Sequence, residues 1–121
     1  MGKFIIRQTA TGYVFNLKAT NGEVIATSQV YTGEQSCRSG IESVKANANA
    51  KVEDQTVEGF AVLTNPKYEV YLDKAGEYRF RLKAKNGEVI AASEGYTKKA
   101  NCLNGIDSIG RNAPDAETVK E

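Results

Sequence analysis

The chain of 121 residues contains no histidine, no tryptophan and only two cysteines, Cys37 and Cys102. Without histidine there is no Ser-His or Cys-His nucleophile pair and no imidazole to bind a metal or to transfer protons near neutral pH. The two cysteines lack the CxxC spacing of a zinc site. We therefore expect no cofactor and no metal, and an enzyme is the least favoured class of function.

The sequence also lacks any apolar run near the ~20 residues that a transmembrane helix needs. The apolar stretch at residues 4–6 is too short for a signal peptide and is interrupted by Arg7. The net charge of +1 gives no strong overall attraction to nucleic acid or to a membrane. These features predict a cytoplasmic protein that does not associate with membranes.

What the sequence does contain is a repeat. The segment NGEVIA occurs at residues 21–26 and again at residues 86–91, and 19 of the 34 residues from 15 to 48 are identical to those 65 positions later. Such self-similarity indicates a tandem duplication. Because a unit of ~60 residues buries little surface alone, we predict a single compact domain over residues 1–121, with repeat 1 at residues 1–58, a join at 59–67 and repeat 2 at 68–121. We expect a monomer with internal pseudo-two-fold symmetry.

Each repeat is predicted to be a β-β-β-α-β unit. Alternating apolar and polar residues indicate three strands, and Asn21-Gly22 and Asn86-Gly87 are typical of type I′ hairpin turns. Thr32 and Thr97 are the expected N-caps of a helix with apolar residues every three or four positions. The fold class is therefore α+β, with one antiparallel sheet and two helices on one face. The apolar helix positions are Cys37, Ile41, Val44, Ala48, Cys102, Ile106, Ile109 and Ala113.

The pattern F-x-L-K-A-x-N-G-E-V-I-A-x-S-x-x-Y-T, followed by G-I-x-S and N-A, resembles the repeat of the YegP-like family. These are small bacterial proteins of unknown function, and the resemblance covers both repeats. It implies that two repeats form one sheet and exchange their last strands, so that residues 52–54 pair with repeat 2 and residues 117–120 pair with repeat 1. It implies no activity, substrate or catalytic residue.

Several residues that recur in both repeats have a structural and a functional interpretation. We expect the cysteines to be buried and reduced rather than redox-active, and the tyrosines before the helices to pack as hydrophobic staples rather than stack on a ligand. The polar helix residues either satisfy the last helical carbonyls, which we favour, or line a shared groove. Glutamates beside the hairpin turns could form weak ion pairs with nearby lysines. The residues concerned are Tyr31 and Tyr96, Ser43 and Ser108, Asn47 and Asn112, Glu23 and Glu88, and Lys18 and Lys83.

One row of cations predicts a binding site: Arg79, Arg81, Lys83 and Lys85 alternate along one strand. At ~3.3 Å per residue they are about 6.6 Å apart, which approximates the phosphate spacing of a single nucleic-acid strand. The second helix also begins with Lys98 and Lys99, an arrangement that favours a nearby anion. The same row is typical of a solvated sheet face, and that is the interpretation we favour.

Function is therefore predicted only by class. The leading hypothesis is a non-catalytic interaction module whose partner is unknown, with a protein as one candidate. The alternative is an anion or single-stranded nucleic-acid binder that uses the basic row and the two helix lysines, which a salt-dependent affinity for heparin or an oligonucleotide would reveal.

Overall fold

A computed structural model describes residues 2–121, and Met1, the first residue of the predicted repeat 1, lies outside them. In this part of the chain the order of elements is β-β-β-α-β, twice. Repeat 1 contains β1 (Lys3–Gln8), β2 (Tyr13–Lys18), β3 (Val24–Thr27), α1 (Glu34–Asn47) and β4 (Lys51–Asp54). Repeat 2 contains β5 (Lys67–Leu72), β6 (Tyr78–Lys83), β7 (Val89–Ala92), α2 (Lys99–Asn112) and β8 (Glu117–Lys120).

The strands form one sheet in the order β4-β5-β6-β7-β3-β2-β1-β8. The two repeats meet at its centre, where β3 and β7 are antiparallel and Thr27 pairs with Ala92. An antiparallel central pair relates the repeats by a pseudo-two-fold axis through the sheet, so both repeats present the same face to the helices. The predicted α+β class and the tandem duplication are confirmed.

The predicted exchange of last strands is confirmed as well. Strand β4 of repeat 1 pairs with β5 of repeat 2, and β8 of repeat 2 pairs with β1 of repeat 1. Both of these edge pairs are parallel, whereas the interior pairs are antiparallel, so the prediction of an antiparallel sheet is correct only for the interior. The helix before each last strand carries the chain from a central strand to the far edge of the sheet, where the last strand lies parallel to the first strand of the other repeat.

Both helices cover one face of this sheet and share one core. Helix α1 packs on β2 and β7, and α2 packs on β6 and β3, so each helix contacts strands of both repeats. The eight predicted apolar helix positions are all buried in this core. From the strands it receives mainly aromatic and branched residues, among them Phe4, Phe15, Leu17, Tyr68, Phe80 and Leu82. The repeat boundaries at residues 58 and 68 remain a prediction.

Two local predictions are wrong. The helices begin one residue later than expected, because the chain stays extended through Gly33 and Lys98, and neither of these N-caps makes a side-chain hydrogen bond. The turn at residues 21–22 is not of type I′, since among residues 2–121 only glycines have a positive φ. Within this turn, only Gly22 has a left-handed backbone, with φ 85°. The Asn21 side chain accepts a hydrogen bond from the Glu23 amide at 3.0 Å.

The exchanged strands carry ion pairs of opposite polarity. At the end of β4, Asp54 contacts Lys99 at the start of α2. At the equivalent end of β8, Lys120 contacts Glu34 at the start of α1, with Nζ and Oε1 2.7 Å apart. Without exchange, Asp54 would face Glu34 and Lys120 would face Lys99. The charges therefore favour the exchanged pairing over the alternative.

Charge inversion at one of these pairs tests this interpretation. We expect Asp54→Lys and Lys99→Glu each to lower the free energy of unfolding, because each places like charges together. The double variant should recover about 0.5–1 kcal/mol relative to the sum of the single variants, as for a partly exposed ion pair. Urea unfolding in a double-mutant cycle measures this coupling, which should shrink in 1 M salt. If the changes in the free energy of unfolding caused by the two substitutions are strictly additive, the ion pair does not help β4 to pair with repeat 2.

Candidate functional site

The predicted basic row lies on β6, on the face opposite the helices, and its first three cations already contact carboxylates. Arg79 Nε is 2.6 Å from Asp73 Oδ2. Arg81 Nε is 2.5 Å from Glu69 Oε1, and Lys83 Nζ is 3.3 Å from Glu69 Oε2. Much of the charge that suggested an anion site is therefore balanced by the neighbouring strand and hairpin.

The structure does not bring the other predicted cations into the same row. Lys85 is exposed just beyond the end of β6. Lys98 is the N-cap of α2 and is also exposed. Lys99 is held by Asp54 of β4. The helix lysines belong to the helical side of the sheet, whereas the basic row points away from it.

A buried charge cluster lies beside the row. Glu53, Lys67 and Glu69 are only 2%, 6% and 3% exposed. Lys67 Nζ is 2.7 Å from Glu53 Oε1 and 3.2 Å from Glu69 Oε2. The Leu63 amide also donates to Glu53 Oε1 at 2.7 Å. The join, rather than a helix, therefore covers this part of the outer face.

The cluster holds its members in their charged forms. Hydrogen bonds from Gln55, Lys67 and the Leu63 amide lower the pKa of Glu53 to about 2. Burial alone would raise the pKa of Glu69, but hydrogen bonds from Arg81 and Lys67 outweigh it and lower that pKa. The hydrogen bond to Glu53 is the main reason that the pKa of Lys67 is raised. Charges that are buried and fully paired fix the join to the sheet.

A second region brings together residues that are distant in the sequence. Between the β2–β3 hairpin of repeat 1 and helix α2 of repeat 2 lies an open cleft of about 680 Å³. The hairpin contributes Glu23, and repeat 2 contributes Tyr96 from the segment before α2. Its polar lining further includes Glu94, Asn101, Asn104, Ser108 and Arg111.

Backbone contacts position the tyrosine in this cleft. The amide and carbonyl of Tyr96 both hydrogen-bond to Tyr78 at the start of β6, at 2.8 Å each. Helix α2 approaches closely because residue 105 is a glycine, where a Cβ atom would lie 2.9 Å from the Tyr96 hydroxyl and 2.9 Å from the Phe80 ring. A side chain at this position would displace the tyrosine.

Glutamates of both repeats influence the pKa of the tyrosine in the cleft. Burial raises the pKa of Tyr96, and the charges of Glu94 and Glu23 add to the effect. In the pseudo-symmetric position, burial likewise raises the pKa of Tyr31, and the charge of Glu88 adds to it. Each hairpin glutamate thus lies near the tyrosine of the other repeat. Both residue types recur in the sequence of the two repeats. Their proximity cannot be read from the sequence, because it arises at the β3–β7 junction.

The residues that line the cleft differ in part from those at the equivalent positions of the other repeat. Tyrosine, glycine, serine and the hairpin glutamate are the same in both repeats. The remaining polar positions are shorter or neutral in repeat 1, where Gln29, Ser36, Ser39 and Ala46 stand in place of Glu94, Asn101, Asn104 and Arg111. The cleft lining therefore carries more hydrogen-bonding and charged groups than the equivalent positions of the other repeat.

The paired asparagines adopt the structural role that we favoured. Asn47 and Asn112 each donate to a helical carbonyl one turn earlier, that of Ser43 and Ser108, at 2.8 Å. The Tyr31 ring stacks on Phe15 with centroids 6.3 Å apart. The expected ion pair of Lys83 with Glu88 is replaced by contact with Glu69 on the adjacent strand.

The cysteines are free thiols at fully buried positions of the helices. Burial raises the pKa of both thiols, that of Cys102 to about 11. Over residues 2–121 no group of acidic or cysteine side chains is arranged to hold a metal ion. Nor is either helix in that range long and apolar enough to cross a membrane.

Comparison with known proteins identifies relatives for both repeats. The profile of a family described as "Domain of unknown function (DUF1508)" matches residues 9–54 and 73–119. The UPF0339 protein PA0329 of Pseudomonas aeruginosa is 35% identical over 115 residues, which are 94% of this chain and 92% of that protein. The UPF0339 protein in the ptx operon 5′ region of Stutzerimonas stutzeri is 65% identical over 48 residues, but the match spans only 40% of this chain and 43% of that protein.

A solved structure matches the whole fold. The solution NMR structure of yegP from E. coli, described as a protein of unknown function, aligns with a TM-score of 0.80 at 30% sequence identity. The alignment covers 99% of this chain and 92% of the E. coli protein. The match extends over both repeats.

The buried cluster predicts a specific response to acid. Because the folded-state pKa of Glu53 is about 2, below its ordinary value of 4.5, its contribution to stability is complete above pH 4.5 and is lost as pH falls toward 2. We expect the free energy of unfolding to fall less steeply over this range in Glu53→Gln than in the unmodified chain. Urea unfolding at a series of pH values measures the slope. Glu58→Gln, at an exposed position just before the join, is the control, and equal slopes in all three proteins would contradict the assignment.

Proposed function

The chain belongs to the DUF1508 family, a family of unknown function, and on that premise we propose that it is a non-catalytic binding module that uses the cleft between the repeats. The observation that carries the proposal is that this cleft exists only where the repeats meet. Glu23 comes from repeat 1, whereas Tyr96 and Ser108 come from repeat 2. A binding site at this position would explain why the residues that line the cleft differ from those at the equivalent positions of the other repeat.

The composition of the cleft supports binding. Its volume of about 680 Å³ is within the range of about 300–1,000 Å³ typical of small-ligand sites. An aromatic ring, two asparagine amides and a serine hydroxyl can orient a polar ligand. Both thiols are buried elsewhere, on the core face of the helices, and cannot act as nucleophiles in the cleft. We therefore favour recognition over catalysis.

The alternative, anion or single-stranded nucleic-acid binding along Arg79, Arg81, Lys83 and Lys85, has less support. The first three of these cations would have to leave carboxylates that lie 2.5–3.3 Å away. For the cellular setting, we propose a cytoplasmic monomer, because two free buried cysteines suit a reducing compartment.

Blocking the cleft tests the proposal. In a ligand-fragment screen that includes oligonucleotides, with ¹⁵N-labelled protein, we expect amide shifts to cluster at Val24, Ile25, Tyr96 and Ser108. Asn104→Trp should abolish these shifts, because the indole would occupy the cleft. Ser39→Trp places the same ring at the equivalent exposed position of α1 and should leave them unchanged.

Two outcomes would contradict the proposal. One is the absence of cleft-localised shifts across the whole screen. The other is binding of oligonucleotides along residues 79–85 that weakens with salt and is unaffected by Asn104→Trp, which would favour the basic row instead.

A further inference from the structure

We infer that the cleft recognises a positively charged alkylamine or guanidinium group, an inference that rests on the proposed function and names its ligand class. The cation would bind the carboxylates of Glu23 and Glu94 beside the Tyr96 ring. This chemistry is available from a lysine or arginine side chain of a partner protein and from a free polyamine.

The charge balance of the cleft carries the inference. Its lining contains two carboxylates, Glu23 and Glu94, and one guanidinium, Arg111. Arg111 Nε lies 3.2 Å from Asp107 Oδ2, which offsets its charge within the same helix. In the described part of the chain, by contrast, neither Glu23 nor Glu94 forms an ion pair. The unbalanced charge of the cleft is negative.

The position of the aromatic ring is consistent with a cation. Glu94 and Glu23 come from different repeats, and both line the same cleft as Tyr96. A cation between these carboxylates would therefore lie close to the ring, and aromatic rings attract cations through their negative faces. The amide oxygens of Asn101 and Asn104 could accept the remaining N–H hydrogen bonds.

The first repeat provides an internal comparison. There the tyrosine, Tyr31, has the hairpin carboxylate of Glu88 near it. Gln29 occupies the position of Glu94, so the second carboxylate is missing. The equivalent positions therefore carry one carboxylate instead of two, and this difference allows matched variants.

Titrations of the full chain test the inference. The probes are spermidine, a tripeptide with a central lysine and capped ends, and the same tripeptide with norleucine in place of lysine. We expect the lysine peptide or spermidine to bind in the cleft and the norleucine peptide not to bind. Preference for the peptide indicates a partner protein as the source of the cation, and preference for spermidine indicates a free polyamine.

Variants identify the groups responsible. Glu23→Gln and Glu94→Gln should each weaken the binding of the cationic probe by about two- to fivefold, the effect expected for one partly exposed ion pair. Glu88→Gln changes the equivalent hairpin glutamate, which does not line the cleft, and should leave the affinity unchanged. Amide shifts during the same titrations show where the probe binds.

Failure would take distinguishable forms. If the norleucine peptide binds in the cleft as tightly as the lysine peptide, and Glu23→Gln and Glu94→Gln have no effect, the cation inference is wrong but the cleft remains the binding site. If cationic probes bind, but outside the cleft and independently of Asn104→Trp, the cation inference is wrong, and the fragment screen alone decides whether the cleft is a binding site. If no cationic probe binds at millimolar concentration, the cation inference is overturned.

Discussion

The exchange of the last strands is the constraint on which the rest of the structure depends. Neither repeat contains the strand that completes its own side of the sheet, because β4 pairs with β5 and β8 pairs with β1. The junction between β3 and β7 is short by comparison and pairs only Thr27 with Ala92. Exchanged edge strands, together with helices that each contact both repeats, make the two halves depend on one another.

The cleft and the buried charge cluster both follow from the way in which the repeats are joined. The central junction brings the hairpin of one repeat beside the tyrosine of the other, which creates the cleft that contains Glu23 and Tyr96. The exchange of β4 also places Glu53 next to Lys67 and Glu69 of repeat 2. The join then folds over these charges. The central junction therefore accounts for the cleft, and the strand exchange accounts for the covered outer face.

The repeat and its hydrophobic periodicity were sufficient to predict the elements, the core face of the helices and the fold class. The resemblance to a known repeat supplied the strand exchange. What local patterns could not provide was the environment of charged side chains. The alternation of Arg79, Arg81 and Lys83 has the same appearance whether the facing strand is neutral or acidic, and Glu69 lies 12 residues away in sequence from Arg81.

The same limit applies to the cleft and to the turns. Glu23 and Tyr96 are 73 positions apart, and nothing in either local sequence indicates their proximity. Asn21 was recognised as a turn residue, but sequence could not show that its side chain rather than its backbone would shape the turn. Long-range pairing and side-chain hydrogen bonding decide these features.

Hydrogen exchange after removal of residues 115–121 tests the strand exchange most directly. In the intact chain β8 pairs with β1, and the Glu121 amide donates to the Ile6 carbonyl at 2.8 Å. Without β8, strand β1 becomes an unprotected edge. Residue-resolved exchange should therefore show lost protection at Lys3–Gln8, in the repeat that is remote from the deletion in sequence. Lost protection confined to the strands and helix of repeat 2, with Lys3–Gln8 unchanged, would contradict the exchange.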